Sequence, residues 1–291
     1  MTKVVLTIAG LDPSGGAGII ADIKTFSAFG CFAAAAVTSI TFQNTVGVFG
    51  AVHQTAETVR RQVEPVLEDF EVSALKTGML PTRDVIEEVA RLVSENDLRN
   101  FVVDPVVRST SGFDLIDDAA LNALIEKLFP LSDLVTPNLP EAERITGIKI
   151  ESEDDMEKAA RRMQKTGAKN VLIKGGHLFD KNISGKPHIT STAEKYGSLD
   201  GKRQATDFLW LGKELYIWQG EYIDTASTHG TGCTLSAAIA ANLALGKSLK
   251  ESVGISKKFV TEAIRTSSGL GRGHSPVNHL VNGLNLITEP E

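Results

Sequence analysis

Two glycine-spaced loops and a cysteine at the mouth of one of them have the residue types and spacing to do chemistry. The first loop is Ala9-Gly10-Leu11-Asp12-Pro13-Ser14-Gly15-Gly16-Ala17-Gly18. It follows an apolar strand pattern and precedes a helical segment from Ile19 to Phe29. Its glycines let backbone amides approach a ligand closely. The spacing is not the dinucleotide fingerprint, and an ordinary strand-to-helix turn is the structural alternative. The second loop is Thr228-His229-Gly230-Thr231-Gly232-Cys233-Thr234-Leu235-Ser236, leading into an alanine-rich helix. A helix start offers unpaired N–H groups and partial positive charge, which suits a phosphate or a developing oxyanion. Gly230 and Gly232 allow those amides to converge. Cys233 falls in the first turn, where a thiol pKa tends to drop below its free value of about 8.5. A small buried hydrophobe is the alternative reading for it, as for most free cysteines.

Carboxylates and a lysine close other apolar runs. Asp104-Pro105-Val106 follows one, and Thr136-Pro137-Asn138-Leu139-Pro140-Glu141 follows another. Magnesium-nucleotide chemistry wants oxygen ligands at such strand ends. A helix N-cap or a solvated turn residue is equally consistent with each, and Asn138 has the position of a cap. Lys174-Gly175-Gly176-His177 ends a third run, where a lysine can reach a phosphate. Gly246-Lys247-Ser248 resembles the tail of a P-loop, but the fingerprint requires glycine where Ala241 stands. It is a helix C-cap followed by the next N-cap.

The elements that must position these groups alternate. Val4 to Ala9, Phe101 to Val103, Leu134-Val135 and Val171 to Ile173 are continuous apolar runs, the pattern of strands buried on both faces. Amphipathic segments lie between and around them: Ala56 to Phe70, Asp84 to Ser94, Ala119 to Leu128 and Asp154 to Thr166. Ser152 precedes the last with capping spacing. The alternation predicts an α/β fold with a mostly parallel sheet. Residues 179–204 break the rhythm with Lys, Gly, Ser, Thr and Asp, and read as a surface excursion. A hairpin follows, Ala205 to Leu211 and Leu215 to Thr225, joined by Gly212-Lys213.

Composition narrows the class. The chain has 291 residues, 42% of them hydrophobic and 23% charged, with 26 glycines, the balance of a globular protein. No shift in composition marks a boundary, so one domain over 1–291 is expected. Two cysteines, Cys31 and Cys233, are too few for a disulfide scaffold and fit a reducing compartment. A net charge of −6 argues against nucleic acid as the main partner, and no apolar run approaches a membrane span. A soluble, cytoplasmic protein acting on a small molecule is the expectation.

Taken together these residues resemble the ribokinase-like kinases, and within them the hydroxymethylpyrimidine kinase/phosphomethylpyrimidine kinase family of thiamine biosynthesis. The resemblance rests on AGLDPSGGAGIIADIKTF at 9–26, FQNTVGV at 42–48, KTGML at 76–80, DPV at 104–106, TPNLPEAERITG at 136–147, KGGH at 174–177 and STHGTGCTLSAAIAANLALG at 227–246. Gly271 to Leu280 is similar to the family's glycine-rich C-terminal signature. The resemblance implies a three-layer α/β/α fold and ATP-dependent phosphorylation of a pyrimidine alcohol, then of its monophosphate. It implies that Cys233, where most of the superfamily holds aspartate, assists removal of the hydroxyl proton, with Gly230, Thr231 and Gly232 as anion hole. Gln43 would read the pyrimidine edge, with Gly10, Asp22, Met79 and Val106 lining the same pocket. Lys174, Thr228 and Lys257 would serve the nucleotide and its phosphates, and Asp104 and Glu141 would hold Mg2+ or its water. ATP and Mg2+ are thus implied, a monovalent cation is left open, and a homodimer is expected.

Two features depart from the family pattern. The 179–204 excursion is longer than expected, and Arg108-Ser109-Thr110-Ser111-Gly112 stands where many relatives carry an apolar stretch. Arg108 is either a phosphate contact or a surface arginine in a turn. Pyridoxine/pyridoxal kinase on the same scaffold is the nearest alternative. Gln43 favours the pyrimidine, because a paired donor and acceptor matches an aminopyrimidine edge. A non-catalytic ligand-binding protein would bind without transferring phosphate.

Overall fold

Strand β1 (Val4–Leu11) has helices on both of its faces, which is why almost every position in it is apolar. The computed structural model describes residues 2–107, 115–176, 192–195 and 204–288. After β1 come α1 (Gly18–Ala28), β2 (Phe32–Gln43), β3 (Val48–His53), α2 (Ala56–Asp69), β4 (Val72–Thr77), α3 (Arg83–Glu95) and β5 (Phe101–Val103). The middle of the chain forms α4 (Asp118–Ala123), β6 (Leu134–Val135), α5 (Leu139–Thr146), α6 (Glu153–Lys165) and β7 (Asn170–Lys174). Strands β8 (Thr192–Lys195), β9 (Gln204–Leu211) and β10 (Glu214–Glu221) precede α7 (Thr231–Ala244), α8 (Leu249–Arg265) and α9 (Gly283–Thr288).

The strands make one ten-stranded sheet in the order β3-β2-β1-β4-β5-β6-β7-β9-β10-β8. From β2 through β7 neighbouring strands are parallel, while β3, β9 and β10 pair antiparallel with β2, β7 and β9. Alternate strand residues feed two cores. Leu6, Ile8, Phe101, Val103, Val135, Val171 and Ile173 pack with α2 to α6. Val5, Val102, Leu134 and Leu172 pack with α1, α7 and α8. This is the expected α/β fold in three layers, mostly parallel. The order of strands turns back at β1 and β4, so a crevice opens above their carboxyl ends.

Local signals behave as their chemistry predicts. The side chain of Ser152 accepts from the Asp155 N–H at the start of α6, and Asn138 with Glu141 forms a reciprocal capping box on α5. Gly246 is left-handed (φ +84°) after α7, and Ser248 forms the capping box of α8 with Glu251. Gly212-Lys213 is the turn between β9 and β10.

Strands β2, β3 and β4 lie outside the apolar runs read from sequence. Strand β2 carries Ala33 to Ala36, a composition that favours helix, yet it pairs with β1 along the length of that strand. Strand β4 contains the charged Lys76, and β3 is a short antiparallel edge. The expected helix from Ala119 to Leu128 is also shorter. Regular helix stops at Ala123, Leu124–Leu128 makes a wider π turn, and Phe129–Leu131 a tight one, because Pro130 has no N–H to continue the ladder. Arg108, His177 and most of the 179–204 segment lie outside the described residues. Within that segment β8 pairs with β10, so its Thr192–Lys195 portion belongs to the sheet. Among the described residues no helix is long and apolar enough to cross a membrane.

Candidate active site

The carboxyl ends of β1, β4, β5, β6 and β7 face one cavity of about 1100 Å3, closed on the far side by the start of α7. Parallel pairing explains the convergence: each strand delivers its last residue to the same edge of the sheet. Gly10, Lys76, Asp104, Asn138 and Lys174 arrive in this way.

The start of α7 is shaped by backbone contact. Gly230 sits in the left-handed region (φ +79°), and a Cβ there would lie 1.8 Å from the Gly16 carbonyl oxygen. The two glycine loops therefore touch main chain to main chain, which a larger residue forbids. Asp12 binds them together. Its carboxylate accepts from the backbone N–H groups of Ser14 (2.8 Å), Gly16 (3.2 Å) and Ala17 (2.9 Å) and from His229 Nε2 (2.8 Å). Burial opposes its ionisation, but the bonds from His229 and Ser14 prevail and hold it at about 2.

Cys233 lines the cavity from the first turn of α7, with the Gly18 N–H bonded to its sulfur. The expectation of an acidic thiol is overturned. Burial pushes Cys233 up to about 11, and the positive charge of Lys76 offsets only part of that. At that value it is a thiol at neutral pH. Lys76 is itself fully enclosed, its ammonium bonded to both oxygens of Asp22 at 3.0 and 2.9 Å. Burial works against its charge, but Asp22, Cys233 and Asp104 together keep it protonated. Asp22 also accepts from Thr7 Oγ1 at 2.6 Å.

The acidic end lies across the cavity. Asp104 accepts from Lys174 Nζ (3.0 Å) and Thr136 Oγ1 (3.2 Å). Burial opposes its charge, yet Lys174 and Lys76 hold its pKa below the usual carboxylate value. Glu141 accepts from the Asn138 N–H at 2.8 Å and is placed by the α5 cap. Burial, with a further push from Asp104, lifts Glu141 to about 7 against the pull of Lys174. Asp22, Asp104 and Glu141 face Lys76 and Lys174, three carboxylates against two lysines, so the cluster has room for more positive charge. Among the described residues no group of three or more potential ligands forms a closed metal cage. Two carboxylates open to a cavity fit Mg2+, which keeps waters and takes phosphate oxygens as further ligands.

The residues expected at a site mostly meet here. Gly10, Gln43, Met79 and Val106 line one end of the cavity, and Thr228, Gly230, Thr231, Gly232 and Cys233 its wall. Lys174, Asp104, Glu141 and Lys257 line it as well, Lys257 bonded to Asp207. The Gln43 amide, at the bulged end of β2, makes no protein hydrogen bond among the described residues and is left to face the cavity. Asp22 differs: it is fully buried, does not line the cavity and reaches it only through Lys76. Sequence reasoning passed over Lys76 and the Asp12–His229 pair. A lysine inside the otherwise weakly polar run Val72-Ser73-Ala74-Leu75-Lys76-Thr77 was the available signal for the first. Cys31 is buried, its sulfur 3.9 Å from the Ala241 carbonyl oxygen, and burial raises it to about 11.

Comparison with known proteins adds a second line of observation. The family model described as phosphomethylpyrimidine kinase matches residues 12–278. The chain is 44% identical over 283 residues to the hydroxymethylpyrimidine/phosphomethylpyrimidine kinase of Bacillus subtilis (strain 168), covering 96% of this chain and 97% of that one. Among solved structures it is similar to phosphomethylpyrimidine kinase from Clostridium difficile 630, at 39% identity and a TM-score of 0.74, covering 90% of this chain and 100% of that one. It is also similar to the pyridoxal kinase from Staphylococcus aureus in complex with AMP-PCP and pyridoxal, at 32% identity and a TM-score of 0.81, covering 97% and 95%.

Proposed function

The chain belongs to the phosphomethylpyrimidine kinase family, and on that premise we propose that it phosphorylates 4-amino-5-hydroxymethyl-2-methylpyrimidine with ATP and then converts the monophosphate to the diphosphate, for thiamine biosynthesis. The observation that carries this reading is the single cavity that joins an unpartnered Gln43 amide to the α7 start, Lys174 and the two carboxylates. A paired donor and acceptor on Gln43 matches an aminopyrimidine edge. Gly10, Met79 and Val106 flank the ring, and Asp22 acts on it from behind through Lys76.

The hydroxymethyl oxygen then lies toward Cys233 and the Gly230–Gly232 amides. Phosphoryl transfer asks the protein mainly to position groups and stabilise charge. The α7 N–H groups and Lys174 face the charge that develops on the transferred phosphoryl oxygens. Cys233 takes the hydroxyl proton in its thiolate form, which the Lys76 ammonium favours electrostatically. Thr228 and Lys257 serve the nucleotide side. Asp104 and Glu141 would hold Mg2+, which supplies charge neutralisation between the phosphates.

The same reading extends to the whole chain as a single cytoplasmic kinase domain that works as a homodimer. Support for the dimer is the exposed apolar surface of β2 and β3, where Phe42 is 51% and Phe49 69% exposed. The pyridoxal kinases share the scaffold, so the decisive experiment is a rate comparison. Purified protein with ATP and Mg2+ is given hydroxymethylpyrimidine, its monophosphate or pyridoxal. Faster transfer to the pyrimidines is expected. Much faster transfer to pyridoxal reassigns the substrate, and binding without transfer overturns the enzyme reading.

A further inference from the structure

The C-terminal loop 271–279 is a glycine-rich motif that the reaction above leaves without a task. Its contacts run in one direction along the cavity rim. Backbone N–H groups of Arg272 and Gly273 donate to Thr45 Oγ1 at 3.2 and 3.3 Å, and the His274 N–H donates to the Thr45 carbonyl at 2.8 Å. The approach is close enough to demand glycine. A Cβ on Gly271 (φ +82°) would fall 2.3 Å from Thr45 Oγ1, and one on Gly273 would fall 2.1 Å from the Thr45 carbonyl oxygen. Thr45 stands two residues beyond Gln43.

The loop next meets the start of α7. The Ser275 N–H donates to the Ala226 carbonyl, and the Ser275 carbonyl accepts from the His229 N–H, both at 3.1 Å. His279 Nε2 lies 3.0 Å from Thr234 Oγ1, which itself lies 2.8 Å from the Gly230 carbonyl. Proton counting fixes the roles. The carbonyl only accepts, so the single hydroxyl proton of Thr234 goes to Gly230, and Thr234 must accept from a protonated His279 Nε2. His279 is buried, and burial with the nearby Lys24 and His229 keeps it neutral, its pKa held down at about 4.

We propose that segment 271–279 is a positioning strap that sets the Gln43 loop, gripped at Thr45, in register with the Gly230 anion hole, gripped through His279 and Thr234. In this role Thr45, which also lines the cavity beside Gln43, and His279, which does not line it, act as positioning residues. Among the described residues the strap makes no hydrogen bond to Lys174, Asp104, Glu141 or Lys257, so it orients the acceptor alcohol relative to the anion hole and leaves the phosphate end alone. The inference rests on the kinase reading for its kinetic consequence, not for the contacts themselves.

The test compares Thr45→Val, which keeps the shape and loses the acceptor, with His279→Leu and His279→Gln. Misplacement on the ångström scale costs on the order of 10- to 100-fold in rate. Thr45→Val and His279→Leu are each expected to lose that much in kcat/KM for the acceptor alcohol. ADP affinity should stay within about twofold, and His279→Gln, which retains an N–H donor, should recover most of the loss. The double variant should cost less than the product of the singles, because either change cuts the same strap. Losses that multiply, or that follow thermal stability across the set, overturn the proposal. Should the wild type phosphorylate none of the three acceptors, the kinase reading fails separately and hydrogen exchange decides the strap. Faster exchange at 226–234 in Thr45→Val supports it, and a change confined to 43–48 and 271–274 overturns it.

Discussion

Cys233 and Glu141 show how one environment gives two side chains opposite problems to solve. Burial raises both. For Cys233 the consequence is kinetic: a thiol near 11 supplies its basic form only as pH rises. Turnover is therefore expected to climb from neutral into the alkaline range, and Cys233→Ser or Ala should flatten that profile. General-base help is worth about 10²–10⁴-fold, so those variants should lose ~10²-fold or more in kcat while ADP affinity, read by calorimetry, is retained. Wild-type turnover in either would remove Cys233 from the mechanism. For Glu141 the consequence is thermodynamic. Its folded pKa of about 7 lies above the ordinary value of 4.5, so the folded chain holds a proton that the unfolded chain releases between those values. Metal-free protein should lose stability as pH rises from about 4.5 to 7 and regain none above. Glu141→Gln should abolish that part of the slope and be the more stable form at pH 8, although less active. A denaturation series with pH checks it, and an unchanged slope would mean that Glu141 ionises normally.

At the level of elements, the α5 start and the α8 start are built alike but stand in different places. Each carries a capping box, Asn138 with Glu141 and Ser248 with Glu251. Only the first opens on the cavity. Loss of either cap costs about 1 kcal/mol. Asn138→Ala and Ser248→Ala are thus expected to lower the melting temperature by similar amounts. Asn138→Ala should in addition raise the Mg2+ concentration needed for half-maximal activity, because losing the Asn138 Oδ1 acceptor of the Glu141 N–H loosens the turn whose Asn138 N–H holds the Glu141 carboxylate. Equal Mg2+ requirements in the two variants would show that the α5 cap serves stability alone. The capping residues were readable in the chain from type and spacing. Strand β2 was not, since Ala33 to Ala36 carries no strand propensity and only pairing with β1 makes it one.

Among the described residues, several of the exposed large apolar side chains gather at one edge of the sheet. Ile40 stands opposite Val52 across β2 and β3, with Phe42 and Phe49 exposed nearby. In the proposed dimer this open apolar edge is the surface that associates. Substituting Phe42→Asp together with Phe49→Asp should convert a dimer to a monomer in sedimentation velocity, with the far-UV circular dichroism unchanged. A wild-type protein that sediments as a monomer at micromolar concentration would refute the dimer directly. Because the Gln43 loop joins these two strands, the monomeric variant should also show a raised KM for the acceptor.

The α/β class, the parallel core and the strand-end positions of most cavity residues are legible in the chain alone. Each of these is written locally, as an apolar run with glycine, carboxylate or lysine at its carboxyl end, and parallel pairing sends all such ends to one edge. The chain also carries the caps, whose partners lie three residues away. Tertiary structure alone decided the electrostatics. The acidity of Cys233 read from its helix start was reversed by burial, a property of every element packed around it. Lys76 with Asp22, Asp12 with His229, and the strap from Thr45 to His279 join residues 54, 217 and more than 200 positions apart. No local pattern encodes such pairs, because what places them is the closing of the sheet and not the spacing along the chain.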